Sequence, residues 1–449
     1  MNVLCFDISS GGLASAVFNE ELAPSDIEEI LWNIHVQPDG SAVLDPAKLL
    51  EALKTRKDFD RVDAISFSGF MHSSLLLDAN DRPLTPIFTW MDRRGVEAVD
   101  LIRRELGASF HQRTGCRFHP MFPIFKLAWL QMPQARRCVS AKAFAIAALT
   151  GKWVEDHGTA SASGLYNVRE AGWDADLMRR VRIDPDALPP LVERHDIVEH
   201  YEGKPVVAGS GDGFLANLGS GCDSPSRMAI TLGTSSSARL VLPSAVLDDD
   251  AGTFCYRASK SAFLLGCASN NGGNVLDWAR SVFGGVPETS TSRSDIPTFI
   301  PLLNGERSPE WDPSLTARWV SVTSQHTTED LARAVLDGVV FNLAHYADIL
   351  TRASGAKPSE VILSGNGFMN PLAAETLAAV MDTRVLKPRT QGVASLRGAA
   401  VCGFQALGVD TSRAMEKLIA DSEIIQPRNV PETRQRYKRY RVFRSLPVK

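Results

Sequence analysis

The sequence predicts an α/β protein with mixed sheets, made of two similar halves. Three observations carry that reading. Short apolar runs of strand length alternate with amphipathic helical patterns along the chain. A strand, a Gly/Ser-rich tip and a return strand open the chain, and the same arrangement comes back about half-way along it. The length, 449 residues, suits about two or three domains with sizeable cores.

In chain order, Val3-Leu4-Cys5-Phe6 is an apolar strand, residues 7–12 its turn and residues 13–18 the alternating return strand. Residues 64–68 and 75–77 read as buried strands, followed by helical patterns at 96–105, 124–131 and 142–149. A strand at 205–208 runs into the turn Gly209-Ser210-Gly211-Asp212-Gly213, and residues 214–218 read as helical. Gly, Asp, Ser and Pro then interrupt the pattern at 222–226, which predicts domains of residues 1–222 and 223–449. The second half repeats the opening with strand 228–232, tip Gly233-Thr234-Ser235-Ser236-Ser237 and strand 238–242. Amphipathic helices are expected at 273–283 and 328–351. A buried strand at 361–363 then feeds Ser364-Gly365-Asn366-Gly367 and a helix at 371–381. The basic stretch 434–444 reads as a solvated helix face or tail.

Lys and Arg number 48 against 52 Asp and Glu, a formal net charge of −4, with 44% of residues apolar and 22% charged. That is globular composition, and it argues against nucleic-acid binding, which rests on a basic surface. No apolar run reaches the roughly 20 residues that span a bilayer, so no membrane partner is expected and the expected compartment is the cytoplasm. Seven scattered cysteines without C-x-x-C spacing fit neither a disulfide framework nor a zinc site, and the nine histidines contain no H-x-x-x-H pair.

Candidate chemistry sits in four small-residue loops that follow apolar strands, at 7–12, 209–213, 233–237 and 364–367. Without large side chains, such loops expose backbone N–H groups and let a phosphate come close. None fits G-x-x-x-x-G-K-[ST] or G-x-G-x-x-G, which argues against a P-loop and a dinucleotide site. Asp7 and Asp212 lie beside the glycines. A carboxylate there can hold Mg²⁺, accept a hydroxyl proton, or merely cap a turn or helix, and spacing alone does not choose. In residues 66–94, Met71-His72 follows a strand, and Trp90, Asp92, Arg93 and Arg94 cluster. An indole face beside hydrogen-bonding groups suits a polyhydroxylated ligand; core packing is the other use of a His or Trp.

Together these segments resemble the FGGY carbohydrate kinases, a family of the actin-like (ribonuclease-H-like) ATPase fold. The resemblance runs through FDISSGG, FSGFMHSSLLLD, TWMDRR, TGCRFHPMFPIFKLAWL, AGSGDGFLANLGSG, TLGTSSS, LLNGERSPEWDP, LSGNGFMNPL and ASLRGAA, in order, over nearly the whole chain. Met71-His72, the His-Pro-Met run and Asn270-Asn271-Gly272-Gly273 resemble the gluconokinase-type branch. The resemblance implies two actin-like domains around an interdomain cleft. It also implies ATP- and Mg²⁺-dependent phosphorylation of a sugar or sugar acid at a primary hydroxyl. Gluconate is the leading acceptor, and xylulose or a related ketose or polyol is the alternative. Asp212 would be the general base, and Asp7 would hold Mg²⁺ and the γ-phosphate, with Ser9, Ser10 and Gly11 in the first phosphate hairpin. Gly233, Thr234 and Ser235 would cradle the β-phosphate, and Gly365 with Asn366 would lie against the adenosine. Met71, His72, Trp90, Asp92, Arg93, Met121 and Lys126 would form the sugar side, with Arg93, Arg94 or Lys126 available to a gluconate carboxylate. A homodimer is compatible with the resemblance.

The family's first hairpin reads Asp-x-Gly-Thr-Thr; here Ser9 stands at the glycine and Gly11 at the second threonine. Ser236 replaces a usual glycine in the second hairpin. A Cβ at Ser9 is expected to crowd a phosphate or to conflict with a φ > 0 backbone. These departures motivate a reading from another class, a non-catalytic sugar- or nucleotide-binding regulator.

Overall fold

The computed structural model describes residues 1–57, 59–289, 293–390 and 392–446. Two large mixed sheets form the frame among the described residues. The first runs Ile197–Tyr201, Lys204–Gly211, Ala64–Gly69, Asn2–Ile8, Gly12–Asn19, Pro24–Leu31. The second runs Phe254–Ser259, Ala262–Ser269, Ser236–Leu242, Arg227–Leu232, Glu360–Ser364, Arg384–Lys387, Glu423–Ile424. In each sheet one strand pairs antiparallel with its hairpin partner on one side and parallel with a later strand on the other. Asp7 thus faces Ala14 and Ser68, and Thr231 faces Ser237 and Ser364. The hairpin repeated in the sequence is repeated in space. Parallel pairing requires crossovers, whose helices cover the sheets; Val3, Leu4, Cys5 and Phe6 are accordingly fully buried.

Local chemistry sets the element ends. The helix Thr328–Ser354 opens with a capping box, in which Thr327 Oγ1 accepts the Asp330 N–H and Asp330 Oδ2 accepts the Thr327 N–H. The helices Val96–Leu106, Pro123–Leu130, Ala141–Thr150, Gly273–Phe283 and Pro371–Val380 lie where the periodicity puts them. The strands Pro24–Leu31, Phe254–Ser259 and Ala262–Ser269 are additions. The first is an exposed edge with no apolar alternation, and the last is a near-continuous apolar run that periodicity cannot classify.

Two expectations change. The Gly-rich segment before Asp212 is strand rather than turn. Lys204–Gly211 carries a bulge between Val207 and Ser210, and Gly209 sits there at φ +61°, where a Cβ would overlap the Phe67 carbonyl. Second, residues 434–444 are no solvated face or tail. In the helix Val430–Arg444, Tyr437 and Tyr440 are buried, and so are Arg436 and Arg444, paired with Asp337 (2.7 Å) and Glu310. Their acids are distant in sequence, so the arginines alone look solvent-facing. The helix Ala394–Ala406 packs on the first half: a Cβ on Gly398 would strike the Leu215 carbonyl, and Arg397 Nη1 donates to Gly219 O at 3.0 Å.

All seven cysteines are buried and unpaired. Among the described residues no helix is long and apolar enough to cross a membrane.

Candidate active site

A cavity of about 480 Å³ opens between the two hairpins. Ser9, Ser10, Met71, His72, Trp90, Met121 and Asp212 line it from the first half of the chain; Gly233, Thr234 and Ser235 line it from the second. The two hairpin tips therefore share one cavity with the segment after strand Ala64–Gly69.

Asp212 is not a helix cap. Gly211 holds that position, and Asp212 is the first residue of the helix Asp212–Leu218. Its Oδ1 accepts the Met71 N–H at 3.2 Å and the Gly213 N–H at 2.7 Å. Both bonds fall on one oxygen and leave Oδ2 to the cavity. Burial lifts the carboxyl above the usual range, while those N–H groups and the Arg239 charge pull it back.

Asp7 lies near the end of the strand Asn2–Ile8, one strand beyond Ala64–Gly69 in the same sheet. Its Oδ1 is shielded from solvent and has no hydrogen-bond partner. Burial pushes this carboxyl up to about 7, with the like charge of Asp212 adding to the rise. No group of three or more His, Cys, Asp or Glu is placed to hold a metal by itself among the described residues. Mg²⁺ does not require one, because it keeps waters and phosphate oxygens and commonly takes only one or two carboxylates. The unpartnered Asp7 oxygen fits that demand.

The departures in the hairpins are accommodated. Ser9 does not adopt φ > 0, so the expected backbone conflict does not arise. Its hydroxyl closes the turn, accepting the Gly11 and Gly12 N–H groups at 3.2 and 3.0 Å and donating to Gly12 O at 2.9 Å. Ser236 is buried, its Oγ donating to Asn271 O at 2.7 Å. The Gly273 N–H donates to Gly233 O at 2.7 Å, so the Asn-Asn-Gly-Gly run braces the second hairpin. Gly365, at φ +93°, packs behind that hairpin, where a Cβ would lie 2.5 Å from Leu232 O. Asp7, Gly11, Gly365 and Asn366 are not among the cavity-lining residues, and Asn366 is exposed.

On the sugar side, His72 sits at φ +68°, a strained backbone for a non-glycine residue. Its Nδ1 faces Ala162 O at 2.7 Å and so carries the proton, leaving Nε2 as an acceptor. Burial drives its pKa down to about 3, and the ring is neutral. Trp90 Nε1 donates to Ser10 Oγ at 3.3 Å, and the Arg307 guanidinium lies 5.2 Å over the indole.

Asp92, Arg93 and Lys126, expected on this wall, do not line the cavity. Lys126 Nζ spends its three donors on Asp92 Oδ1 (2.8 Å), Asp92 O (3.0 Å) and Arg94 O (2.5 Å). The Asp92 carboxylate also takes the Ala42 N–H and the Arg94 guanidinium. Arg93 is exposed, its N–H on Gly40 O. These charges bind one another, so none of the three cations first considered for a carboxylate faces the cavity.

Sequence reasoning missed Arg239 and Arg307, both cavity-lining. Arg239 Nε donates to Asn217 Oδ1 at 2.9 Å and Nη2 to Thr231 Oγ1 at 3.0 Å. Arg307 Nη2 donates to Ser269 O at 2.8 Å. A lone arginine in a strand or turn reads as solvent-facing; the only signal for Arg307 was its place in LLNGERSPEWDP.

The FGGY family of carbohydrate kinases matches this chain twice, its N-terminal domain over residues 4–219 and its C-terminal domain over residues 228–407. A gluconokinase of Bacillus subtilis (strain 168) is 28% identical over 94% of this chain and 90% of its own. A xylulose kinase of Lactococcus lactis subsp. lactis (strain IL1403) is 25% identical over 83% and 81%. The crystal structure of a gluconate kinase from Lactobacillus acidophilus superposes with a TM-score of 0.91 at 24% identity, covering 99% of this chain and 97% of that one.

Proposed function

The chain belongs to the FGGY family of carbohydrate kinases and is a sugar kinase using ATP, and from that premise we propose that its acceptor is gluconate, phosphorylated at a primary hydroxyl with Asp212 as general base. The observation that carries the reading is the Asp212 carboxylate. One oxygen is fixed by two backbone N–H groups, and the other is open to a cavity lined by both hairpins. Gluconokinases among the relatives support the choice of acceptor.

In the proposed reaction the acceptor oxygen bonds to the γ-phosphorus as the bond to ADP breaks. The hydroxyl proton passes to Asp212 Oδ2, whose burial raises its proton affinity. His72 Nε2, neutral and lone-paired, accepts a hydrogen bond from another acceptor hydroxyl and orients the chain of carbons. The small residues of both hairpin tips, Ser9 to Gly11 and Gly233 to Ser235, leave room for phosphates against backbone N–H groups. Gly365 and Asn366 offer the adenosine a surface behind the second hairpin. Asp7 would hold Mg²⁺, which would neutralise the phosphoryl charge. Enclosure between the two halves keeps out water, which would otherwise compete as acceptor.

Xylulose kinases are also relatives, so a ketose is the competing acceptor. ADP release measured over gluconate, xylulose, ribulose and glycerol tests the choice. Gluconate is expected to give the highest kcat/KM; a higher value for xylulose reassigns the acceptor.

A further inference from the structure

Arg239, half-buried, and Arg307, buried, bring two guanidiniums to the cavity, and among the described residues neither forms an ion pair with a carboxylate. Arg239 belongs to the reacting end: it is tied to Asn217 on the Asp212 helix, and its charge acts on Asp212. Arg307 lines the same cavity, beside Trp90. It is 8% exposed and lies over the Trp90 indole, with Nη2 on a backbone carbonyl and Nε shielded without a partner.

The adjacent acid, Glu306, acts on the Arg307 charge but makes no side-chain ion pair with it. Glu306 Oε2 accepts from Ser269 Oγ (2.9 Å), Asn342 Nδ2 (3.1 Å) and Tyr346 Oη (2.9 Å), and Oε1 accepts the Arg307 backbone N–H at 2.9 Å. That carboxylate is committed to holding the loop. A buried guanidinium with no direct ion pair and an unpartnered Nε is suited to receive an anion. The other basic groups near this wall are unsuited: His72 and His119 are held neutral by burial, and Lys126 and Arg94 are bound to Asp92.

We propose that Arg307, stacked on Trp90, receives the carboxylate of a sugar-acid acceptor and makes the site selective for an aldonate over a neutral sugar. The inference rests on the kinase reading above and adds a specificity residue to it. In an aldonate the carboxylate and the terminal primary hydroxyl lie at opposite ends of the carbon chain. With the hydroxyl at Asp212, the carboxylate is left to another part of the cavity lining, and Arg307 is part of that lining. A guanidinium fork matches a carboxylate in plane, and a site built around such a pair rejects an analogue that leaves it unpaired.

Calorimetric binding of gluconate and of glucitol, which replaces the carboxylate with a neutral hydroxymethyl group, tests this on the full chain and on Arg307→Gln. The unaltered chain is expected to favour gluconate by about tenfold or more, and Arg307→Gln to shrink that ratio to about threefold or less. Equal binding of the two ligands by the unaltered chain overturns the proposal. So does a folded Arg307→Gln protein that loses both ligands in proportion, the behaviour of a merely structural arginine. If Arg307→Gln does not fold, Arg307→Lys decides: a reduced gluconate preference supports the assignment, and an unchanged preference with both affinities lowered overturns it. ADP release is read separately. Carboxylate-dependent binding without turnover defeats the kinase reading and leaves the Arg307 subsite standing. Turnover of neutral sugars with no carboxylate preference does the reverse.

Discussion

Arg239 donates a hydrogen bond to Asn217 Oδ1 at 2.9 Å, tying the return strand of the second hairpin to the helix that Asp212 begins. The same guanidinium favours the ionised form of Asp212. Arg239→Gln removes that charge, so the Asp212 carboxyl holds its proton to higher pH. The acid limb of the pH profile of kcat/KM is expected to move upward, with activity lost more steeply at about pH 6 than at about pH 8. A limb that stays in place contradicts this electrostatic link.

Asp212 also bears on stability. Its folded pKa is raised above the ordinary aspartate value, chiefly by burial. Between the unfolded and folded values the folded state binds more protons, so stability falls as pH rises through that window. Asp212→Asn lacks this titration and can still accept both N–H bonds. Thermal melts are expected to show the variant more stable than the parent at about pH 8, with the gap closing towards about pH 4. A variant less stable at the higher pH argues against a desolvated carboxylate.

His72 makes a different prediction. With its pKa near 3 it stays neutral across the physiological range, so it contributes no inflection to acceptor affinity between about pH 5 and 8. His72→Ala removes one neutral hydrogen bond and is expected to raise the acceptor KM about tenfold, with a smaller effect on the ATP KM. A larger effect on ATP would place the ring at the wrong end of the cleft.

Two glycines separate a required absence of side chain from a permitted one. A Cβ at Gly365 would sit 2.5 Å from Leu232 O on a φ +93° backbone, whereas at Gly11 its nearest neighbour is Ser9 Oγ at 3.7 Å. Gly365→Ala is expected to raise the ATP KM about tenfold or more and to lower the melting temperature. Gly11→Ala should stay within about threefold of the parent. Equal effects would show that the second hairpin does not depend on this close approach.

Much of the frame was legible because hairpins and amphipathic helices are local. Thr327, Asp330 and Gly355 bracket their helix with groups a few positions apart. The site was legible where a side chain reaches the cavity directly, as Asp212, His72 and Trp90 do. Asp92, Arg94 and Lys126 satisfy one another in space, and spacing does not show that Lys126, 34 residues on, reaches Asp92. Arg239 and Arg307 escaped notice for the opposite reason. Each is an isolated cation whose place at the cavity follows from strands and loops brought together only by the tertiary fold, and no local pattern announces that.

The central claim is that Asp212 takes the acceptor proton. The most direct test is gluconate-dependent ADP formation by the unaltered chain and by Asp212→Asn, with folding verified by circular dichroism. The expected result is acceptor-dependent turnover in the first and a fall in kcat of about 10²–10⁴-fold in the second, the usual contribution of a positioned general base. A folded Asp212→Asn protein that keeps near-parental kcat would contradict the account.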